Sequence, residues 1–513
     1  MNNRKKTIIL IVVATLLRLI IACSIELGND EVYYRMYAQY LQWNYFDHPP
    51  IVGWLIRITT VNLLLDNELF IRLGAILSAA ATTWLLFLSG KKLSNDYTGF
   101  LAAVIYTATL YGSIIAGTFI LPDSPQMVCW AGCLYLLIGI TTDTRINRIK
   151  KKDVLWFGFI AGLGMLCKIH SSFLWFGFLL YILGYNRQWL RQPVLYISAA
   201  ISLLMFYPVI QWNIDNHFVT YGYHSKRVNV AGSGIDFVSF FTFFSGQFFY
   251  LNPFIFPYLI IATFAAFKNK LPILSSQKRI LLLTALPLIG IATIISFFKN
   301  VLPHWTGPAY ASLILLAACY FSTKKTTEGS QKWIAHKPVE IAFAIMLSII
   351  VSGIILIKYY PGTLGKKDKP LLGEGDFTLD MVGWHNLKPA IEKLLQNDVL
   401  SGAMKKDAVI ISNKWFPAAH IDFYIAMPLK RDLIGVGDTS EIHQYAWLNQ
   451  QRKMLHQGDD AYCIVPSNNY FDVNKTYASL FSAIAAPAVI EQKRNGKACR
   501  RFYIYRLKGY LGK

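Results

Sequence analysis

Acidic residues open two short stretches of this chain, and both stretches have the makings of chemistry. Asp30 and Glu31 begin NDEVYYRMYAQYLQWNYFDHPP (residues 29–50), which Asp47 and His48 close against Pro49 and Pro50; Asp123 stands between two prolines in LPDSP (121–125). A carboxylate so placed can take a proton from a hydroxyl, and a protonated histidine can donate to an anion. Asn29 or Asp30 can cap a helix in which Tyr33, Met36, Tyr37, Tyr40 and Leu41 share a face at three- and four-residue spacing. This reads as a helix lying flat on a bilayer, its rings at headgroup level and Asp30 and Glu31 at the edge of the lipid. The plainer reading is that the two acids only cap the helix and complement its dipole, for which one would suffice. The Pro-Pro corner then turns the chain into a second amphipathic stretch, IVGWLIRIT (51–59).

A membrane must position these groups. Of the 513 residues, 54% are hydrophobic, 15% aromatic and only 15% charged, and the mean hydropathy is positive; this is the composition of an integral membrane protein. Apolar runs of about 18 residues or more recur up to residue 358. About eleven spans are expected, centred near residues 16, 79, 108, 133, 161, 178, 203, 260, 289, 314 and 348. The first is read as an anchor rather than a cleaved signal, because so many others follow.

The net charge of +21, from 50 Lys and Arg against 29 Asp and Glu, invites a nucleic-acid reading that the placement of the cations opposes. Arg4, Lys5 and Lys6 precede the first span. Lys91 and Lys92; Arg145, Arg148 and Lys150 to Lys152; Arg187 and Arg191; Lys268, Lys270, Lys278 and Arg279; and Lys324, Lys325, Lys332 and Lys337 then fill every second connection. The alternation is the positive-inside pattern, so these loops and the N-terminus are expected in the cytoplasm and no nucleic acid is expected as partner. Loops 26–68, 119–125, 213–236 and 299–305 are expected to face outward, as is everything after residue 358.

Several further residues share the outward face. Lys168 and His170 lie at the predicted outer end of a span, where a lysine also reads as a snorkelling helix end. Arg72 starts another span and reads equally as an interface anchor; Arg18, inside the first span, is given no role. His304 stands between Pro303 and Trp305. With Asp47 it is a candidate pair for a divalent metal, although no HxxxH or CxxC spacing supports one, and contact with sugar or phosphate is the competing reading. The glycine-containing loop 213–236, with Tyr221, Tyr223, Lys226 and Arg227, reads as a cover over a pocket or as a plain surface segment.

Residues 359–513 change character and read as a soluble α/β domain after a membrane domain of 1–358. DAVIIS (407–412) and AYCIVP (461–466) are predicted strands, FPAAHIDFYIA and 442–456 helices, and CRRFYIYRLKGY an edge or terminal strand. No glycine-rich phosphate loop joins them. Cys463 and Cys499 are the cysteines of this domain, in a compartment that permits a disulfide; the others lie in or at spans as small apolar packers.

In matching order, DEVYYRMYAQYLQWNYFDHPP, LPDSP, CKIHSSFL (167–174), PVIQWNIDNH (208–217) and LPHWTGPAY (302–310) resemble the bacterial glycosyltransferases of the dolichyl-phosphate-mannose protein mannosyltransferase superfamily. These are family 39-like enzymes, related to the aminoarabinose transferase that modifies lipid A. The resemblance covers nearly all of 1–358. It implies a GT-C fold in the bacterial inner membrane and a polyprenyl-phosphate-linked sugar as donor. It says little about the acceptor, which is left open among a lipid, a glycan and a protein. It makes Asp30 the base or acceptor-orienting group and Asp123 a group that positions the acceptor or a metal; Glu31, beside Asp30, is a catalytic candidate from its place in the loop. The family commonly places an acid and a lysine before Pro-Pro; here Asp47 and His48 stand instead, which shifts the phosphate role toward Lys168, Arg72 or Arg57, with Tyr33, His48, His170 and His304 as further substrate contacts. No covalent intermediate is needed, so direct inverting displacement is expected, with no cofactor beyond a possible divalent metal. Two other classes compete: a transporter of lipid-linked sugars, which would place its ionisable groups near the bilayer midplane, and a non-catalytic scaffold whose loop acids are caps.

Overall fold

The computed structural model describes residues 1–142, 150–324 and 336–512; Arg145, Arg148, Lys325 and Lys332 of the basic series lie outside them. The chain divides into two compact units, one of Met1–Ala22 with Leu41–Ile350, the other of Cys23–Tyr40 with Val351–Lys513.

The first unit is helical. It is built from α1 (Asn3–Ser24), then, beyond α2 (Asn29–Gln39) of the other unit, α3 (Ile51–Thr59), α4 (Glu68–Leu93), α5 (Asp96–Thr107), α6 (Asp123–Ile140), α7 (Lys151–Cys167), α8 (Ser172–Tyr185) and α9 (Pro193–Asp215). It continues through α10 (Val219–Val228), α11 (Phe237–Tyr250), α12 (Phe256–Phe267), α13 (Ser275–Ser296), α14 (Tyr310–Ser322) and α15 (Lys337–Tyr359). Among the described residues, α1, α4, α9, α13 and α15 are long and apolar enough to cross a membrane, and α12 is a shorter apolar helix. Each predicted span centre falls within one of these helices or, at Ala108, at a helix end.

Local chemistry sets several boundaries. Asn67 accepts from Phe70 N at 3.3 Å to start α4, Asn95 accepts from Tyr97 N and Thr98 N at 3.0 Å to start α5, and Asp236 accepts from Ser239 N at 3.1 Å to start α11; each satisfies an otherwise orphaned amide. Small residues let helices approach within the apolar core around Trp130, Phe157 and Phe178. A Cβ on Gly158 of α7 would stand 2.2 Å from the Ser198 carbonyl of α9, and Ser198 Oγ donates to Val154 O at 2.6 Å across the same seam. The stretch 213–236 is not one loop: α9 runs on to Asp215, and α10 occupies its middle.

In the second unit, α16 (Lys388–Leu400), β1 (Val409–Ser412), α17 (Trp415–Ile421), β2 (Leu433–Gly435), β3 (Ala461–Pro466), β4 (Phe481–Ile484), β5 (Ala488–Arg494) and β6 (Lys497–Tyr510) form a mixed α/β domain. The sheet order is β2-β1-β3-β6-β4, with β5 also on β6. β1 runs parallel to β2 and β3, and β6 antiparallel to β3, β4 and β5. β6 is therefore central, not the edge strand its alternation suggested. Alternation reports which faces are buried, and pairing lies in the plane of the sheet, so the first cannot reveal the second. The helix expected over 442–456 is broken at His443, where φ is +52°, and Asn449 instead brackets the Gly435 backbone at 2.7 and 3.0 Å. Cys463 and Cys499 are free thiols. Cys463 lies opposite Tyr505, which puts Cys499 six residues along β6, roughly 20 Å away at strand rise.

Candidate functional site

α2 forms as expected, but its aromatic face meets protein rather than lipid. Tyr33 is buried, with ring centroids 5.1 Å from Tyr37 and 5.0 Å from Trp415, and its hydroxyl accepts from Gln444 N at 3.2 Å. The whole segment Cys23–Tyr40 belongs to the second unit. Glu26 accepts from Trp384 N and His385 N at 2.8 and 3.0 Å, Tyr424 accepts from Leu27 N at 2.9 Å, and Asn29 donates to Asp380 at 2.9 Å. Glu31 is buried and accepts from Gly28 N at 2.8 Å, so it reaches back to the N-cap amide of α2. Asp30, beside it, is solvent-exposed in the first turn. Burial drives the Asp380 carboxyl up to about 6, against the lowering pull of Arg500, and the charge of Asp30 adds to the rise.

The first unit gathers the other candidates. Asp123 opens α6, and its Oδ2 accepts from Lys168 Nζ at 2.8 Å; the two side chains are 2% and 7% exposed, so this is an ion pair withdrawn from water. Its Oδ1 accepts from the Tyr111 hydroxyl at 3.1 Å. Tyr111 reaches it because Gly307 carries no side chain: a Cβ there would lie 2.1 Å from the Tyr111 ring. Lys168 caps α7 in extended conformation and leads into the turn Ile169–Ser171, which Gln126 of α6 holds by donating to Ser171 Oγ at 3.1 Å. In that turn His170 lies 5.8 Å from the Trp305 ring, and its Nδ1 is buried with no hydrogen-bond partner among the described residues.

α10 brings in the Asp47–His48 corner. Thr220 Oγ1 donates to Tyr45 O at 3.2 Å, His224 Nε2 donates to Asp47 O at 2.8 Å, and the rings of His48 and His224 are 6.2 Å apart, edge to face. Asp47 Oδ2 lies 3.3 Å from His48 Nδ1. On the next turn of α10, Arg227 stands 5.7 Å over the Tyr223 ring and 5.2 Å over the Trp305 ring. The turn Pro303–Ala309 that carries His304 is fixed on α11, since Gln247 donates to Pro303 O at 2.9 Å and accepts from Thr306 Oγ1 at 2.8 Å. Burial, then the charge of Lys168, holds His304 down to about 4; burial, then His48, holds His224 down to about 4. Both imidazoles are therefore neutral at pH 7. The result is one carboxylate–ammonium pair within a rim of imidazoles, an arginine and indole and phenol rings, suited to an anionic headgroup bearing a polyol.

Arg72 is buried elsewhere: it donates to Ala22 O at 3.2 Å and lies 5.4 Å over the Phe119 ring, tying α4 to the end of α1. Arg57 donates to Asn62. Among the described residues no group of three or more His, Cys, Asp and Glu side chains is arranged to hold a metal ion, so Asp47 and His304 lack a third ligand of these kinds. Sequence reasoning missed Tyr111 and His224. The three-residue spacing of His224 and Arg227 would have found the second; nothing in the sequence marks the first.

The chain thus combines a bundle of apolar helices with a mixed-sheet domain. The family model described as dolichyl-phosphate-mannose-protein mannosyltransferase matches residues 47–212. A curated relative, lipid A galacturonosyltransferase RgtD of Rhizobium johnstonii, is 22% identical over 290 residues, which is 56% of this chain and 59% of that protein. The crystal structure of ArnT from Cupriavidus metallidurans in the apo state aligns over 97% of each chain with a TM-score of 0.61 at 14% identity; the form bound to undecaprenyl phosphate aligns over the same share with 0.59. The chain has the ArnT-like GT-C fold.

Proposed function

We propose that this protein transfers a sugar from a polyprenyl-phosphate donor to a hydroxyl or phosphate of a lipid, glycan or protein acceptor, at the extracytoplasmic face of the bacterial inner membrane. The observation that carries the reading is the buried Asp123–Lys168 pair within the rim of His48, His170, His224, Arg227 and His304. The undecaprenyl phosphate in an ArnT crystal structure and the lipid A acceptor in the name of RgtD agree with the donor and with one acceptor class.

In the proposed reaction the acceptor oxygen attacks the anomeric carbon as the bond to the phosphate oxygen breaks. The acceptor proton passes to a carboxylate, and polyprenyl phosphate leaves carrying the electron pair. Asp123, which accepts from both Lys168 and Tyr111, is suited to orientation more than to proton uptake; Asp30 is the base that the sequence resemblance implies. Lys168 and Arg227 offset the charge that develops on the departing phosphate. Inversion follows from direct attack.

The test is transfer by the purified protein from short-chain polyprenyl-phosphate sugars, scored as free polyprenyl phosphate. Asp30→Asn is expected to lower turnover by about a hundredfold or more with expression unchanged. Normal turnover in that variant removes Asp30 from the reaction. Donor movement across vesicles without any transfer would instead favour a transporter.

A further inference from the structure

We infer that Arg18 is a positioning residue for the Asp123 site, acting through the turn that carries Tyr111; the inference rests on the reading of Asp123 given above. Arg18 lies within α1, is 3% exposed, and among the described residues has no ion-pair partner. An arginine in an apolar span with no acid beside it is costly and calls for a reason. The reason lies where the chain leaves α5. Thr109 Oγ1 accepts from Gly112 N at 3.0 Å, and Ala116 N reaches back five residues to Tyr111 O at 2.8 Å. This widened turn over Tyr111–Ile115 leads into irregular chain near Phe119 rather than into more helix. Where the helical ladder gives out, its carbonyls draw on other donors: Thr118 N reaches Ile114 O at 3.0 Å, and Thr118 Oγ1 donates to Ser113 O at 2.8 Å.

Arg18 supplies donors. Its Nη2 donates to Gly112 O at 3.2 Å and its Nε to Ser113 O at 3.4 Å. The approach is close: a Cβ on Gly117 would stand 3.0 Å from Arg18 Nε. The residue directly before these two carbonyls is Tyr111, whose hydroxyl donates to Asp123. The guanidinium thus clamps the turn from one side while Tyr111 faces the carboxylate from the other. Asp123 receives one hydrogen bond from Lys168 and one whose geometry Arg18 sets. The charge of Arg18 is directed to backbone, and its effect arrives at the site as a position.

The test uses the full chain in detergent with 3-fluorotyrosine at position 111. Asp123→Asn, which alters the partner of the phenol, calibrates the fluorine shift. Arg18→Gln is expected to move the resonance as well, to lower kcat about tenfold and to leave KM within about twofold. In combination with Tyr111→Phe it is expected to cost no more than Tyr111→Phe alone, because both remove the same hydrogen bond. Arg18→Lys, which keeps the charge but not the planar fork, should give a smaller shift and a smaller loss, and it carries the test by itself if Arg18→Gln does not accumulate. An unmoved Tyr111 resonance in the Arg18 variants overturns the inference, as does a loss that multiplies with Tyr111→Phe. Normal turnover by Asp123→Asn and Tyr111→Phe would defeat the functional reading instead, with the resonance still deciding whether Arg18 holds Tyr111.

Discussion

At Asp123 and Lys168, burial of the ion pair makes a prediction about stability as well as activity. Withdrawing two charges from water is costly, and each is tolerable chiefly because of the other. Lys168→Met leaves the Asp123 carboxylate buried with only the Tyr111 hydroxyl to stabilise it, which should cost about 3–5 kcal/mol. Asp123→Asn with Lys168→Met removes both charges and should recover most of that loss, although neither variant is expected to transfer sugar. The check is thermal unfolding in detergent: a double variant that melts as low as Lys168→Met would mean that Asp123 does not depend on its partner. Asp123 was legible in the sequence because a carboxylate between two prolines at the head of an apolar run has few bland uses. Tyr111 was not, because its role comes from a glycine about two hundred residues away whose missing side chain admits the ring, and spacing along a chain carries no such information.

At the scale of the element, α2 shows how a correct pattern can be assigned to the wrong solvent. Tyr33 and Tyr37 do line one face of a helix, but an apolar face reports only that it leaves water, not whether lipid or protein receives it. Here Trp415, Tyr424, Gln444 and the amides of 384 and 385 receive it and its flanks. The second unit therefore holds the segment that presents Asp30, a job for the C-terminal residues that no motif in them announced. Asp380 is part of that hold and works against it at neutral pH. Its carboxyl, raised to about 6 by burial, binds more protons when folded than when unfolded across the interval from about pH 4 to 6. Stability therefore falls as pH rises through that window, and the full cost is present above pH 6. Asp380→Asn keeps an acceptor for Asn29 and removes the charge, so it should stabilise the protein by about 2 kcal/mol at pH 7.5 and by almost nothing at pH 4. An equal gain at both pH values, measured by melting, would show that burial of the charge is not the cause.

For the molecule as a whole, the span centres and the strands β1 and β3 were readable because length and hydrophobicity decide them locally, whereas the sheet order and the division of residues 26–68 between two units depend on partners far along the chain. Orientation lies between these cases. α6 begins at Asp123 and ends beside Thr142, whose hydroxyl accepts from Gln277 at 3.0 Å, and there Arg279 lies 4.2 Å over the Tyr185 ring. The helix thus separates the acid-bearing end of the first unit from the end where the basic connections gather, and the charge rule then assigns the basic end to the cytoplasm. Exposed Cys23 would be replaced by serine first; the other cysteines are buried and would stay silent. A cysteine at Asn229, exposed just beyond α10, should then react in intact cells with a membrane-impermeant thiol reagent, and one at Lys150, exposed just before α7, should react only after the membrane is opened. The reverse pattern would put the Asp123 site on the cytoplasmic side, and labelling of both from outside would mean that α7 does not separate the two ends.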